Sequence, residues 1–178
     1  MLQRTRGEHV PSVYEEFLRR WPDSEALARA KVETIRKVVS PLGLRKRADT
    51  IKQMAGMLAG GEVPSDPKDL DELPGVGPYV AHAVPVFADG RDLPLVDWVI
   101  ARVLRRVFGL PGVKRPTSDR DLWDLAGRLA SRGKAARLWA GTLDLAAAIC
   151  RPSPRCSECP AVSFCSYARN REIVSPST

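Results

Sequence analysis

Leu73-Pro74-Gly75-Val76-Gly77 is the stretch on which the fold turns. It lies between a short predicted helix, Pro67 to Glu72, with Asp66 as N-cap and proline at its start, and a second running from Pro78 to about Phe87. Each glycine permits a backbone turn that a Cβ would obstruct, and the amides opening the second helix point outward as a ready anion site, suited to a DNA phosphate. Taken alone, Pro-Gly-x-Gly is equally an ordinary tight turn between helices. A phosphate grip of this kind would be blind to base sequence.

Outward from this turn the pattern stays helical. Apolar residues recur at Val10, Val13, Tyr14 and Phe17 over the span from His9 to Arg20. Ser24 can cap a helix reaching about Val39 with Leu27, Val32, Ile35 and Val38 as its buried face, and a third helix runs from about Arg45 to Leu58, closed by Gly60-Gly61. Asp97 can cap the next, which continues to about Phe108 with Val99, Val103, Leu104 and Val107 inward and Arg102, Arg105 and Arg106 around it. Two more are capped near Ser118 and begin near Lys134, the second ending at Cys150. Strand-like alternation is scarce, so the expected class is all-α. Trp98, Trp123 and Trp139 read as core, and the low apolar content after Cys165 predicts a frayed tail.

The 178 residues include 28 Lys plus Arg against 21 Asp plus Glu, a net charge of +7. That balance suits nucleic acid, acidic membranes and acidic proteins alike, so it does not choose a partner. A chain of this length buries roughly 70% of its unfolded surface and needs no external staple. No apolar run approaches the roughly 20 residues that span a bilayer, and no basic start followed by an apolar run marks a secretory leader. The expectation is a cytoplasmic protein without membrane contact.

All four cysteines fall within 16 positions, as Cys150-x5-Cys156-x2-Cys159-x5-Cys165. Such clustering in a reducing compartment favours a metal over disulfides. Zinc sites usually show two short Cys-x2-Cys knuckles, and one is present. A [4Fe-4S] cluster is wider and tolerates longer spacings in a single loop. Iron–sulfur is the expectation, with zinc and unligated thiols as alternatives.

Gly43-Leu44, Gly61-Glu62-Val63-Pro64, the Leu73 to Gly77 turn, Val96-Asp97, Arg102-Val103, Asp144-Leu145 and the cysteine loop follow one another in an order that resembles the helix-hairpin-helix (HhH-GPD) DNA glycosylases of the endonuclease III superfamily. The resemblance covers nearly the whole chain. It implies base-excision repair, in which a mismatched or damaged base is flipped from double-stranded DNA and its N-glycosidic bond is cut. It implies a bilobal all-α fold: a helical-barrel lobe over 1–110 holding the hairpin at about 66–88, and a lobe over 111–178 built on an iron–sulfur loop.

The position two after the second hairpin glycine separates the branches. In endonuclease III it is a Lys whose amine attacks the sugar and leads to strand cleavage through a Schiff base; the adenine mismatch branch usually has Ser. Here it is Tyr79, as in the branch of archaeal G·T mismatch thymine glycosylases, which the run Leu2-Gln3-Arg4-Thr5 with His9-Val10 also resembles. The implied protein is a monomeric, nucleoid-associated, monofunctional glycosylase acting on T or U opposite G. Alternatives are an adenine mismatch glycosylase, against which the absence of that branch's C-terminal extension argues, and a truncated scaffold that binds DNA without cutting.

Three departures accompany the resemblance. The first cysteine gap is one residue shorter than the family's usual six. Trp98-Val99 stand where a small and then a polar residue are usual. The family also has a helix and an acidic residue upstream of the segment that begins here at Met1, so the N-terminal helix of the cluster lobe is expected to be missing.

Carried onto this sequence, Asp97 is the candidate catalytic group. A fixed carboxylate stabilises the oxocarbenium-like sugar and can orient or deprotonate water, although a plain N-cap role fits its helix-start position as well. Tyr79 is placed in the base pocket, or is a half-buried packing residue with a wet hydroxyl. Gln3 and Leu44, with Arg4 beside them, are candidate plugs for the space a flipped base leaves; Leu44 could equally close a helix end. Leu73, Gly75, Val76 and Gly77 would hold DNA through the hairpin. Arg45, Lys46 and Arg47 are either phosphate grips or a solvated face, and Arg137, Arg151 and Arg155 would contact phosphate near the cluster. His82 reads as structural polar packing. Cys150, Cys156, Cys159 and Cys165 are the candidate cluster ligands.

Overall fold

A computed structural model describes residues 10–112 and 115–171, and among them every regular element is helical. The chain divides into two compact units, Met1–Gly77 and Pro78–Thr178.

In the first unit, α1 (Val10–Arg20), α2 (Ser24–Arg29), α3 (Val32–Val39) and α4 (Ala48–Leu58) surround Ile35, Val39, Leu42 and Trp21. Trp21 meets Phe17 edge-on, with ring centroids 5.0 Å apart. The single helix expected from Ser24 to Val39 is two. Ala30 adopts an extended conformation (φ −65°, ψ 148°), and Lys31 restarts the chain as N-cap of α3. Neither residue is a helix breaker, so local propensity gave no warning. The gap is closed by tertiary bonding, because the Lys52 ammonium of α4 donates to the Ala30 carbonyl. Asp23 rather than Ser24 caps α2, accepting from Ala26 N at 2.7 Å. Ser24 instead donates to Leu58 O at 3.0 Å, tying α2 to α4. Arg45–Arg47 form a separate 3₁₀ turn before α4. The short α5 (Pro67–Asp71) is capped as expected, Asp66 accepting from Lys68 N at 2.9 Å.

The second unit holds α6 (Pro78–Ala88), α7 (Trp98–Phe108), α8 (Arg120–Ala130), α9 (Ala135–Ala148) and the short α10 (Ser166–Arg169). Its core gathers Val86, Leu95, Val96, Ile100, Leu104 and Leu122 around Trp139, which is fully buried and donates Nε1–H to Leu93 O at 2.9 Å. Helix α9 packs against α6, α7 and α8. Its own N-cap, Lys134, offers no side-chain bond; Asp92, 43 residues earlier, accepts from Ala135 N at 3.2 Å. Trp123 is half-buried and donates to Thr117 O at 2.9 Å. Trp98 is not core. The buried stripe of α7 is Ile100, Ala101, Val103 and Leu104, and Trp98 stands on the other face in register with Arg102 and Arg105. The expected fraying after Cys165 also fails as far as Arg171, since Ala168 is buried and the Tyr167 ring takes the guanidinium groups of both Arg106 and Arg171, each 4.7 Å from its centre.

Asp119 joins α7 to α8. It caps α8 by accepting from Leu122 N at 3.3 Å, and its other oxygen accepts from Arg105 at 2.8 Å. Both side chains are largely buried, at 14% and 13% exposure. The Arg105 hydrogen bond holds the Asp119 carboxyl below its ordinary value of 3.8, against the opposing effect of burial. A carboxylate more acidic in the folded chain contributes stability above its unfolded pKa and loses it as pH falls through the folded one. Asp119→Asn, which keeps a capping oxygen, is therefore expected to lower stability near neutral pH by about 1.5–3 kcal/mol. The deficit should shrink toward about pH 3, and urea unfolding at both pH values checks it.

Candidate active site

The Leu73 to Gly77 turn completes the first unit. Leu73 is buried, and Val76 N donates back to Leu73 O at 3.1 Å. Gly75 is required on two counts. Its φ is +78°, and a Cβ there would stand 2.7 Å from Thr50 Cγ2 of α4. Gly77 corrects the expectation that both glycines serve the turn: its φ is not left-handed and a Cβ would meet nothing within 4 Å. Its missing side chain leaves room for a partner instead. Gly75→Ala is expected to cost about 1–3 kcal/mol from strain, and Gly77→Ala less than about 1 kcal/mol, with thermal unfolding as the measure. Leu44 follows Gly43, which is left-handed at φ 72°, and packs half-buried against the Ile35 core. Arg45, Lys46 and Arg47 are exposed, whereas Gln3 and Arg4 lie outside the described residues.

In the second unit the segment before α7 fixes Asp97. Leu95 and Val96 are fully buried, which pins the backbone, and Asp97 then sits extended at the helix start. Its Oδ1 accepts from Val99 N at 2.9 Å and Ile100 N at 2.7 Å. The carboxylate is thus an N-cap, and the cap immobilises it. Among the described residues its second oxygen takes no hydrogen bond. Tyr79, in the first turn of α6, packs half-buried on the same core. Burial first, and then the Asp97 charge, push the Tyr79 phenol above its ordinary value. It stays protonated at neutral pH, a neutral hydroxyl within electrostatic reach of a fixed anion. One turn on, His82 places Nδ1 2.8 Å from Pro78 O and packs its ring 4.9 Å from that of Trp123. This is the structural role expected of it.

Cys150, Cys156, Cys159 and Cys165 are unpaired by disulfides and line one pocket with Val103, Val107 and Leu145. Burial first, and then the other three cysteines, raise the Cys156 thiol, which Arg106 opposes. Among the described residues no group of three or more His, Cys, Asp or Glu is already gathered around one point as metal ligands would be. Four thiols lining one pocket are a donor set that suits an iron–sulfur cluster or a zinc ion.

The sequence reading missed the residues that set this loop. Arg102 donates through Nε to Cys150 O at 2.9 Å, and Arg106 donates to Arg151 O at 2.6 Å, to Pro152 O at 2.9 Å and to Cys150 Sγ at 3.4 Å. Their spacing on α7, five and nine residues beyond Asp97, is visible in the sequence, but the acceptors are mainly backbone atoms that no sequence pattern marks. Arg151 and Arg155, expected to reach outward for phosphate, donate to Ala147 O and Ala148 O, each at 2.8 Å, and so end α9. Arg137 is exposed.

The family model of HhH-GPD superfamily base excision DNA repair proteins matches residues 1–127. The chain belongs to this superfamily. Among HhH-GPD relatives, the thymine/uracil-DNA glycosylase of Pyrobaculum aerophilum is 40% identical over 183 residues, covering 98% of this chain and 80% of its own. The thymine-DNA glycosylase of Aeropyrum pernix is 39% identical over 178 residues, covering 96% and 80%. A solved structure of a thermostable thymine-DNA glycosylase superposes with a TM-score of 0.87 at 33% identity, covering 95% of this chain and 80% of that one. The HhH-GPD match spans the hairpin turn, Tyr79 and Asp97, and it ends before the first cysteine. The glycosylase resemblance and the all-α expectation are thereby borne out. Among the described residues no helix is long and apolar enough to cross a membrane.

Proposed function

We propose that this HhH-GPD protein is a monofunctional DNA glycosylase that hydrolyses the N-glycosidic bond of thymine or uracil mispaired with guanine. The observation that carries the reading is Asp97, held rigid through one oxygen with Tyr79 beside it, in a chain 40% identical to a thymine/uracil-DNA glycosylase. As the bond between sugar and base lengthens, positive charge develops on the sugar, and a carboxylate already fixed stabilises it without reorganising. The same carboxylate can orient the attacking water and take its proton. Tyr79 supplies a neutral hydroxyl and a ring face for the extruded base. It has no amine to form a Schiff base, so the strand is left intact at an abasic site.

DNA is held, in this proposal, by phosphate contact at Leu73, Gly75, Val76 and Gly77, where the missing Gly77 side chain admits close approach. Gln3, Arg4 and Leu44 fill the vacated stack. Cys150, Cys156, Cys159 and Cys165 would hold a [4Fe-4S] cluster, which supplies cross-linking of the loop rather than reaction chemistry. The protein acts as a monomer on double-stranded DNA in the nucleoid.

Single-turnover assays on labelled duplexes carrying T·G, U·G, A·G and A opposite oxidised guanine, each read with and without hot alkali, test the proposal. Alkali-dependent breakage on T·G or U·G is the expected result. Breakage without alkali overturns the monofunctional reading, breakage on the adenine substrates alone moves it to the adenine branch, and tight binding without base loss leaves a non-catalytic scaffold.

A further inference from the structure

The face of α7 opposite its buried stripe carries the exposed Trp98, the partly buried Arg102 and the largely buried Arg105 at i, i+4 and i+7, with Arg106 beside them. Trp98 is 63% exposed, while Trp21 and Trp139 are buried and Trp123 is half-buried. Leaving so large an apolar ring in water forfeits a burial that is ordinarily among the most favourable a side chain can make. Trp98 is one wall of a groove of about 590 Å³, within the range of sites that enclose small molecules and large enough for a nucleotide. The three arginines, Tyr167 and Asn170 are among its other lining residues, and among the described residues no acidic side chain lines it. Arg105 and Asp119 neutralise one another in their buried pair, which leaves Arg102, Arg106 and, over the Tyr167 ring, Arg171 as the cations of the groove. An open indole face beside clustered guanidinium groups is the chemistry that binds a base by stacking and its phosphate by charge.

We propose that this groove takes one nucleotide of the bound DNA strand, its base laid on Trp98 and its phosphate drawn to Arg102 and Arg106 of α7. The inference rests on the reading of the chain as a DNA-acting enzyme. It gives a purpose to the residue by which the chain departs from the small side chain expected after Asp97. Trp98 adjoins Asp97 in the chain, so a strand anchored on its ring is held within reach of the carboxylate.

The test uses the full-length, cluster-loaded protein with Asp97→Asn to prevent turnover, and a T·G duplex as the probe. Saturating DNA is expected to quench part of the intrinsic tryptophan emission. Trp98→Phe should abolish that component while holding the dissociation constant within about threefold, because a smaller aromatic face remains. Trp98→Ala should weaken binding by about 5–150-fold, the span of one lost stacking contact. Unchanged melting midpoints would show that both variants fold, as the exposure of Trp98 predicts. Equal affinity in Trp98→Ala together with persistent quenching would overturn the proposal. Failure of the enzymatic reading is separate: the protein with native Asp97 would then release no base, whatever Trp98 does to binding.

Discussion

Asp97→Asn is expected to leave the fold intact and to slow base release by about 10²–10³-fold, the usual consequence of removing one preorganised charge-stabilising group. The substitution separates two roles that share one side chain. Asparagine ranks with aspartate as an N-cap, so its carbonyl oxygen can keep the bonds now made by Val99 N and Ile100 N. What disappears is the negative charge and the capacity to take a proton from water. Asp97→Ala removes the cap as well and should cost about 1 kcal/mol of stability besides. Single-turnover rates on a T·G duplex, with melting midpoints alongside, distinguish the two. A rate in Asp97→Asn equal to that of the unaltered protein would leave Asp97 as a cap and nothing more.

Asp97 was legible because a capping carboxylate has a sequence signature: an acid at the head of an amphipathic helix, after buried Leu95 and Val96. The cysteine loop was legible for the same kind of reason, since spacing is local. The break at Ala30 was not, because it depends on Lys52 of α4 supplying a donor, a contact between residues distant in sequence. Trp98 looks like core by its hydrophobicity, and only helical phase sets it outside the buried stripe. Three positions to its C-terminal side the buried stripe runs through Ala101, yet Trp98 heads the arginine face. Gly77 was misread in the opposite sense: Gly75 and Gly77 look alike in sequence, and only the backbone angles tell them apart.

The second large effect concerns the cysteines. Cys156→Ser, at a half-buried site where the smaller oxygen creates little void, is expected to lower bound iron from about four atoms per chain to near zero. It should also destabilise the second unit by more than about 4 kcal/mol, the class of loss that accompanies a missing structural metal group. Metal analysis and melting of the purified protein check both. Zinc in place of iron in the unaltered chain would transfer the four ligands to the other candidate, and retention of full iron content by Cys156→Ser would remove Cys156 from the ligand set.

Helix α7 serves both places. Asp97 heads it, and Arg106, nine residues on, grips the cysteine loop through Arg151 O and Pro152 O. A helix rises about 1.5 Å per residue, so the two ends of this span stand roughly 14 Å apart on a stiff rod. The two ends are held separately, Asp97 by buried Leu95, Val96 and Ile100 and Arg106 by the loop carbonyls. If Asp97 is the reacting group, the loop is the remote clamp of a rod whose other end must hold still.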